Sequence, residues 1–421
     1  MMGRWPLTIR GTGAVLFAVA CMVLAHQFVV VELLYVGALM FAVVAVSAMA
    51  MYFVPRSEQV TRSFLPEVAT VGEEVTVRAR VEIRSPLPVA QGRWRDDLSA
   101  ALQGDATGRF PATVSGMATG GARLIDLEYR ATALRRGVNG IGPLSVTSAD
   151  PFGFIRRRTA VGEPTPLTIA PQALTLIALT DLPGEAGGSL TSSSNQLGQG
   201  SDNLIPRHYV PGDSMRRIHW RASAHRDELM VRQEEQETTP AAVVVLDRGA
   251  QRWDAGARRV PGEDPGFEAA VTACVSIAAQ LVSEGYHVSI IDVDGSEIVE
   301  PIDGGDRAGI RDMLTSFATV TARAATEPEA LVRLFSGVQT GPLVLITGPL
   351  ETADVEVLAP LPHHSALPVL VSVASQVASD QAETLGRAAA TGWRAISAPA
   401  GSDFAAAWAA ASERGMSRVG A

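Results

Sequence analysis

Two long apolar stretches lie near the start of the chain. Apart from Glu32, no charged residue lies between Arg10 and Arg56. About 20 apolar residues are enough to span a bilayer. The stretch therefore predicts two transmembrane helices, at about residues 9–30 and 33–54, joined by a tight turn.

The distribution of Arg around these stretches predicts their orientation. Arg residues flank the outer ends of both stretches, whereas the turn between them has none. Because the cytoplasmic ends of membrane helices carry excess positive charge, both ends of the hairpin and residues 56–421 are expected in the cytoplasm. A competing interpretation is a signal peptide that ends near residues 23–25, where small residues resemble a cleavage site. Cleavage would leave residues 33–54 as an anchor with the same orientation.

The next region has the pattern of β structure. Residues 73–83 alternate polar and apolar side chains for a full strand length, and residues 124–129 repeat the pattern. A period of two predicts half-buried strands, and frequent Gly and Pro turn signals favour short ones. We therefore expect residues 57–170 to form a small β-sandwich-like domain. Asp96 and Asp97 are adjacent rather than facing, so they are interpreted as a solvated loop rather than an acid/base pair.

The last region alternates short apolar runs with longer helical patterns. Apolar strands separated by helices predict a parallel sheet covered by helices on both faces. Ligands of such sheets bind beyond the carboxyl ends of the strands, where Asp247, Asp292 and Thr347 lie. The predicted strands are residues 241–247, 287–294, 342–347, 367–374 and 393–397, and the predicted helices are residues 267–284, 307–320, 383–390 and 405–413.

These patterns divide the chain into five regions. In chain order they are the two membrane helices, a β domain, a segment rich in Gly and Ser that is typical of a linker, a polar, basic cassette, and an α/β domain. The boundaries are residues 1–56, 57–170, 171–203, 204–237 and 238–421.

Composition excludes several classes of protein. All 35 basic residues are Arg, and the net charge of −9 argues against a general nucleic-acid coat. The acidic excess lies in residues 238–421, which carry 12 Arg against 22 Asp and Glu. Cys21 lies in an apolar stretch and Cys274 in a predicted soluble helix, so a disulfide framework is excluded.

The cassette holds the most distinctive chemistry. Residues 207–226 contain five Arg, three His, two aromatic residues and one Asp. Four interpretations remain open: an internal or partner-facing network, an anion site built from Arg, a metal site, and an acid/base site that pairs His219 with Asp213. The His spacing matches no zinc motif. The candidate residues are Arg207, Tyr209, Gly212, Asp213, Arg216, Arg217, His219, Trp220 and Ser223.

The cassette also carries a family resemblance. The pattern Arg207-x-Tyr209-x-x-Gly212-Asp213-x-x-Arg216-x-Ile218-x-Trp220-x-x-Ser223-Ala224 resembles the bacterial domain-of-unknown-function family 58. The upstream runs Arg136-Gly137 and Asp150-Pro151-Phe152-Gly153 match it too, and the order of the regions agrees over nearly the whole chain. His225 departs from the family pattern, in which Arg commonly follows Ser-Ala.

The resemblance implies a C-terminal fold similar to von Willebrand factor A domains. Those domains often bind a divalent metal through an Asp-x-Ser-x-Ser loop after the first strand. The equivalent run here is Asp247-Arg248-Gly249-Ala250-Gln251, which lacks both hydroxyl ligands. Because hard cations need several oxygen ligands, we predict a degenerate site at Asp247 that does not bind Mg²⁺ tightly, and we expect no cofactor.

The resemblance further implies a role beside MoxR-type AAA ATPases and, for some members, transglutaminase-like membrane proteins. No nucleophile with a neighbouring base is identifiable in the sequence. The leading hypothesis is a non-enzymatic, membrane-anchored adaptor or scaffold in an envelope-related process, with the lipid bilayer and such an ATPase as partners and no nucleic acid. Two alternatives stay open: a hydrolase or binding protein for an anionic ligand that uses the cassette, and a purely structural membrane protein.

Overall fold

The computed structural model describes residues 6–53, 57–84, 91–112, 123–178, 204–208, 218, 220–226, 228–234, 240–325, 327–374 and 379–414. The chain folds into two compact units. The first comprises residues 1–172, 259–263 and 314–321, and the second comprises residues 173–258, 264–313 and 322–421.

The first unit begins with a helical hairpin. Helix α1 (Ile9–Phe28) and helix α2 (Val31–Tyr52) lie where the sequence predicts them, and the turn at Val29 adopts a left-handed conformation with φ of 56°. The backbone N–H of Val29 caps α1 on the carbonyl oxygen of Ala25. Only 22% and 17% of the most apolar windows of the two helices are buried. Both helices are long and apolar enough to cross a membrane, which indicates membrane association.

The two helices pack through small residues. A Cβ added at Gly37 would lie 2.9 Å from the carbonyl oxygen of Ala18 and 3.3 Å from the Cβ of Cys21. Without a hydrophobic driving force in lipid, such close backbone approach is the main source of helix association. The other buried residues of the pair are Gly11 and Ala25 on α1 and Val44, Ser47 and Met51 on α2.

Replacing Gly37 by Leu is expected to open the hairpin, because the new side chain overlaps the backbone of α1. Cys21 is 4% exposed and reports on this opening. We expect its alkylation by N-ethylmaleimide, in full-length protein in detergent, to accelerate about tenfold, which corresponds to overpacking of about 1.4 kcal/mol. Gly13→Leu is the matched control, since nothing lies within 4 Å of a Cβ there. Equal alkylation rates in the two variants would contradict this packing.

The β part of the first unit contains two sheets. One has the strand order β1-β3-β7-β5, and the other has the order β2-β10-β8-β4-β6, with β9 paired to β8. Pairing is antiparallel except between β2 and β10. The strands are β1 (Ser57–Leu65), β2 (Val68–Thr70), β3 (Glu74–Arg84), β4 (Gly92–Leu98), β5 (Leu102–Gln103), β6 (Thr107–Phe110), β7 (Arg123–Ala133), β8 (Gly137–Ala149), β9 (Arg156–Val161) and β10 (Thr165–Ala170).

Both sheets contribute to one hydrophobic core. The predicted alternating run becomes β3, in which every second residue from Val75 to Ile83 is buried. Its side chains share a cluster with Trp94 of β4 and Ile141 of β8. The sequence interpretation was wrong at Asp96: this residue lies inside β4 and is 2% exposed, not in a solvated loop. The reason is a buried partner, Arg62, from a distant strand.

The Asp-Pro-Phe-Gly run joins the β sheets to the hairpin. Asp150 shapes the loop by accepting hydrogen bonds from the backbone N–H groups of Phe152 and Ile155, at 3.1 and 2.6 Å. The loop then holds the start of α1, because the backbone N–H of Thr8 donates to the carbonyl oxygen of Phe154 at 2.8 Å. Arg157 holds the end of α2 by donating to the carbonyl oxygen of Met51 at 2.5 Å. We call residues 150–157 the junction loop.

From residue 204 onward the described chain alternates strands and helices. The strands are β11 (Leu204–His208), β12 (Met230–Glu234), β13 (Ala241–Leu246), β14 (His287–Ile291), β15 (Glu297–Ile302), β16 (Thr340–Thr347), β17 (Ser365–Ser372) and β18 (Arg394–Ser397). The helices are α3 (Trp220–Arg226), α4 (Pro265–Ser283), α5 (Arg307–Phe317), α6 (Glu329–Phe335), α7 (Thr352–Leu358), α8 (Ser379–Ala390) and α9 (Phe404–Arg414).

The second unit is built on a six-stranded sheet with the order β15-β14-β13-β16-β17-β18. The five predicted strands occur as β13, β14, β16, β17 and β18, and all of them run parallel. The prediction of a wholly parallel sheet was wrong at one edge, where β15 pairs antiparallel with β14. This strand is largely solvent-accessible and carries two Glu residues, so it lacks the apolar run that marked the others.

Helices cover both faces of this sheet. On one face, Val245, Leu345 and Leu370 form a cluster with residues from α6, α7 and α8. On the other face, Val244 and Leu246 are fully buried, and α4 contacts the central strands. Helix α4 is also apolar and long enough to cross a membrane, but 67% of its most apolar window is buried in the protein. In this structure it is a core helix.

Candidate functional site

The candidate site lies at the carboxyl ends of β13 and β16. Counting the sheet strands along the chain, the order is 3-2-1-4-5-6, so the chain changes direction across the sheet between these two neighbours. In open α/β sheets, ligands bind in the crevice at this switch point. Asp247 follows β13 directly, and Thr347 is the last residue of β16.

The carboxylate of Asp247 is held on both of its oxygens. Its Oδ1 accepts from the backbone N–H of Gly249 at 2.9 Å, and its Oδ2 accepts from the hydroxyl of Thr347 at 2.8 Å. The backbone carbonyl of Asp247 accepts from the indole N–H of Trp253 at 2.9 Å. Asp247 is 5% exposed, so these donors replace the water that the carboxylate loses on folding.

A guanidinium lies between Asp247 and a second carboxylate. The Nε atom of Arg252 is 3.4 Å from Oδ2 of Asp247. Its Nη1 and Nη2 atoms donate to the two oxygens of Asp354 at 2.7 and 2.6 Å. This bidentate geometry is the strongest form of an Arg–carboxylate pair. We call Asp247, Arg252, Thr347 and Asp354 the switch-point cluster.

Local sequence explains how these residues meet. Arg252 lies in a 3-10 turn (Ala250–Arg252), and a Cβ added at Gly348 would come within 2.5 Å of its carbonyl oxygen. Gly348 therefore allows this turn to approach the end of β16. Asp354 occupies the N3 position of α7 in a capping box with Glu351, whose backbone N–H donates to Asp354 at 2.7 Å. The capping box fixes the carboxylate that Arg252 binds.

Burial and the guanidinium act in opposite directions on the two carboxyl groups. Burial raises the pKa of Asp247 above its ordinary value, although Gly249, Thr347 and Arg252 favour its charged form. Burial would also raise the pKa of Asp354, but the hydrogen bonds from Arg252 and from the backbone of Glu351 lower it overall. Arg252 is therefore the largest favourable contribution at the half-buried Asp354, whereas at the buried Asp247 it adds to the hydrogen bonds from Gly249 and Thr347.

The neighbouring strand presents a similar arrangement. Asp292 follows β14, and its Oδ1 accepts from the backbone N–H groups of Val293 and Arg248 at 2.8 and 3.2 Å. The Nε atom of Arg248 lies 4.0 Å from its other oxygen. Burial raises the pKa of Asp292. Each of these two strand ends thus places a buried Asp beside an Arg of the 248–252 loop.

The carboxylates of this site have an internal counter-charge. Within the described ranges, no group of three or more His, Cys, Asp or Glu side chains is placed to hold a metal ion. The positive charge at the switch point comes from Arg252, which is connected to both acids. The geometry can fix the loop between β13 and α4 to the ends of β16 and α7.

The structure locates only part of the predicted cassette. Arg207 lies in β11, whose backbone pairs antiparallel with β12. Trp220 is 68% exposed at the start of α3. Ser223 accepts from the backbone N–H of Met230 at 2.8 Å, which ties α3 to β12. The predicted site residues Tyr209, Gly212, Asp213, Arg216, Arg217 and His219, and most of the predicted linker, lie outside the described residues.

Sequence reasoning missed the two residues that complete the switch-point cluster. Arg252 is five residues after Asp247, and Asp354 is seven residues after Thr347. Arg248, the next residue after Asp247, lies beside Asp292, whereas the guanidinium beside Asp247 is that of Arg252. The Glu351-x-x-Asp354 spacing was an available signal, since it has the form of a capping box at a helix start.

Comparison with known proteins gives one family match. Residues 206–372 match the family described as protein of unknown function DUF58. No curated protein matches the chain. Among solved structures, the chain is similar to a CARDB domain in complex with di-metal ions from Pyrococcus furiosus (11% identity, covering 26% of this chain and 94% of that one, TM-score 0.17). It is also similar to the PilB minor pilin from Streptococcus sanguinis (9% identity, 78% and 87%, TM-score 0.29). These TM-scores are too low to support an argument.

Proposed function

We propose that this protein is a non-enzymatic adaptor or scaffold, held by its helical hairpin at the cytoplasmic face of a membrane. The observation that carries the proposal is the switch-point cluster. Arg252 fills the position where open α/β sheets bind ligands, and it is fixed by Asp247 and Asp354. An occupied crevice favours a role in contacts between macromolecules over one in small-molecule chemistry.

Two further observations support this role. The junction loop holds the ends of both apolar helices through Thr8 and Arg157, which suits a rigid platform at a membrane. In the second unit, the strand order and the antiparallel edge of the sheet favour a von Willebrand factor A-like domain, a fold that the family resemblance implies. That resemblance also supplies the proposed partner, a MoxR-type AAA ATPase.

Trp220 is the residue we expect to make the partner contact. It is the only residue among the described cassette positions with a large, exposed aromatic side chain, and such residues dominate protein interfaces. Ser223, by contrast, has an internal role because it holds α3 to β12. A partner-facing Trp on a fixed helix matches an adaptor.

The test is affinity capture of the full-length protein from native membranes, read by mass spectrometry. We expect wild type to recover an AAA ATPase and Trp220→Ala to recover about 30-fold less, since loss of a hot-spot aromatic costs about 2 kcal/mol or more. Leu334→Ala is the matched control, because Leu334 is an exposed apolar residue (47%) elsewhere in the same unit. Equal recovery with Trp220→Ala would contradict the proposed contact.

The competing function is a hydrolase or binding protein for an anionic ligand, with Arg207, Arg216 and His219 at its centre. Its readout is turnover of anionic substrates by purified full-length protein. Robust hydrolysis that disappears in His219→Ala would overturn the adaptor proposal. The same captured ATPase in wild type and Arg216→Ala/His219→Ala would show that Arg216 and His219 are not part of the contact.

A further inference from the structure

The outer face of the second sheet of the first unit carries an unusual group of Arg side chains. All of them are exposed, and they alternate with less exposed residues along their strands. Among the residues that the structure describes, they form no ion pair, and the one side-chain hydrogen bond is from Arg158 to the hydroxyl of Ser145 at 3.1 Å. The group, which we call the arginine face, consists of Arg93 and Arg95 on β4, Arg109 on β6, and Arg156 and Arg158 on β9.

Strand register places three of these residues in one row across the sheet. Arg158 pairs with Thr147 of β8, Thr147 pairs with Arg93, and Arg93 pairs with Arg109. Directly opposed residues of antiparallel strands project from the same side of the sheet, and like charges in such pairs are destabilising. Because no described carboxylate compensates the Arg93–Arg109 pair, an external anion would relieve the repulsion in this row.

The first sheet provides the contrast within the same unit. Its outer Arg residues are also exposed, but each has a carboxylate partner. Arg80, for example, pairs with Asp126 at 2.7 Å. On the arginine face, the nearest exposed acid along β4 is Asp97, which lies beyond Arg95 and away from Arg156. General enrichment in Arg does not explain this difference between the outer faces of the two sheets.

The arginine face begins where the sheets meet the apolar helices. Arg156 lies near the end of the junction loop, and its backbone N–H donates to the carbonyl oxygen of Pro6, just before α1, at 2.9 Å. The next residue, Arg157, binds the last turn of α2 and stacks over Tyr52 at 5.6 Å. The row that contains Arg158 is two residues further along the strand, which is about 7 Å. That distance is within the Debye length of about 8 Å at physiological salt.

We propose that the arginine face binds the anionic phospholipid headgroups of the bilayer that holds the hairpin. Guanidinium groups bind phosphate with two parallel hydrogen bonds, and basic residues beside a membrane helix are attracted to anionic lipid. The binding gives the β sheets a second attachment to the membrane besides the covalent one. It also fixes the side of the unit that lies against the lipid surface.

The test measures phospholipid binding to full-length protein in detergent by native mass spectrometry. The probes are phosphatidylglycerol and phosphatidylcholine, which differ in charge. We expect wild type to prefer phosphatidylglycerol, and Arg93→Gln/Arg109→Gln/Arg158→Gln to bind it about tenfold more weakly or worse. The matched control, Arg78→Gln/Arg80→Gln/Arg130→Gln, removes the same charge from the first sheet and is expected to retain wild-type affinity.

Further variants keep the outcome interpretable. Arg93→Lys/Arg109→Lys/Arg158→Lys retains the charge and is expected to restore most of the preference. If the triple Gln variant does not fold, Arg95→Gln/Arg156→Gln makes the same comparison. Equal wild-type affinity for the two lipids, or equal losses in the two triple Gln variants, would overturn the proposal. So would loss of an acidic protein partner from the triple variant while its phosphatidylglycerol affinity stays intact.

Discussion

Replacing Arg62 by Met is expected to destabilise the first unit by about 3–5 kcal/mol, because it leaves a buried carboxylate without its counter-charge. Both side chains of the Arg62–Asp96 pair are 0% exposed. Arg62 donates to the two oxygens of Asp96 at 3.0 and 2.8 Å, and the hydroxyl of Tyr129 donates to Asp96 at 2.8 Å. Gly142 leaves room for the guanidinium, since a Cβ there would lie 2.6 Å from its Nη2 atom.

Hydrogen exchange of the full-length protein in detergent measures this effect. Core amides of β3 and β7 are expected to lose about 10² to 4 × 10³-fold of their protection, at about 1.4 kcal/mol per tenfold. Arg78→Met is the control, because the Arg78–Glu128 pair is exposed and such pairs contribute little.

A compensated variant separates lost charge from lost packing. In Arg62→Met/Asp96→Leu/Tyr129→Phe the buried charge and its hydroxyl partner are removed together. Replacing a whole buried ion pair by apolar residues is often neutral, so we expect most of the protection to return. A triple variant as unstable as Arg62→Met would show that packing around Arg62, not the charge of Asp96, maintains the fold.

Arg252→Met is expected to destabilise the second unit by a similar amount, about 3–5 kcal/mol near neutral pH. The substitution leaves Asp247 and Asp354 facing each other across the switch point without the guanidinium that joins them. Exchange of amides in β13 and β16 measures the loss. Arg387→Met is the control, since Arg387 forms an exposed pair with Glu383 on α8. Unchanged protection in Arg252→Met would contradict a structural role for the switch-point cluster.

The pH dependence of this deficit follows from the two carboxyl groups. The pKa of Asp247 is raised in the folded chain, so between about 3.9 and its folded value the folded state binds more protons, and stability falls as pH rises. The pKa of Asp354 is lowered, so its contribution is present above the unfolded value and is lost on acidification. Without Arg252 the pKa values of both carboxyl groups rise. The loss of stability in Arg252→Met is therefore expected to be smaller at about pH 5 than at about pH 7.5. A stability loss that does not change with pH would show that Arg252 acts through packing and not through its charge.

Magnesium titration distinguishes the guanidinium from a metal at the same place. Because Arg252 already supplies the positive charge beside Asp247, millimolar Mg²⁺ is expected to leave the melting temperature of wild type unchanged. A micromolar affinity for Mg²⁺ or Mn²⁺ that disappears in Asp247→Ala would overturn the prediction of a degenerate site.

The sequence predicted the features that depend on local periodicity. The charge-free stretches became α1 and α2, and the alternating run at residues 73–83 became β3. The sequence pattern did not predict short or polar elements, because these depend on contacts with distant residues. Strand β15 carries no apolar run, and α6 and α7 are only seven residues long. For the candidate site, it placed Asp247, Asp292 and Thr347 at strand ends but did not predict their partners.

The sequence by itself determined that this protein has an apolar hairpin, a β region and an α/β region, because periodicity and charge-free length are properties of neighbouring residues. Only the tertiary structure decided which charges meet. Arg62 lies 34 positions from Asp96, and Arg252 lies 102 positions from Asp354. It also decided that the outer Arg residues form ion pairs on one sheet and, within the described ranges, form none on the other. Such pairings depend on strand register and chain crossover, which bring together residues whose separation along the chain gives no local signal.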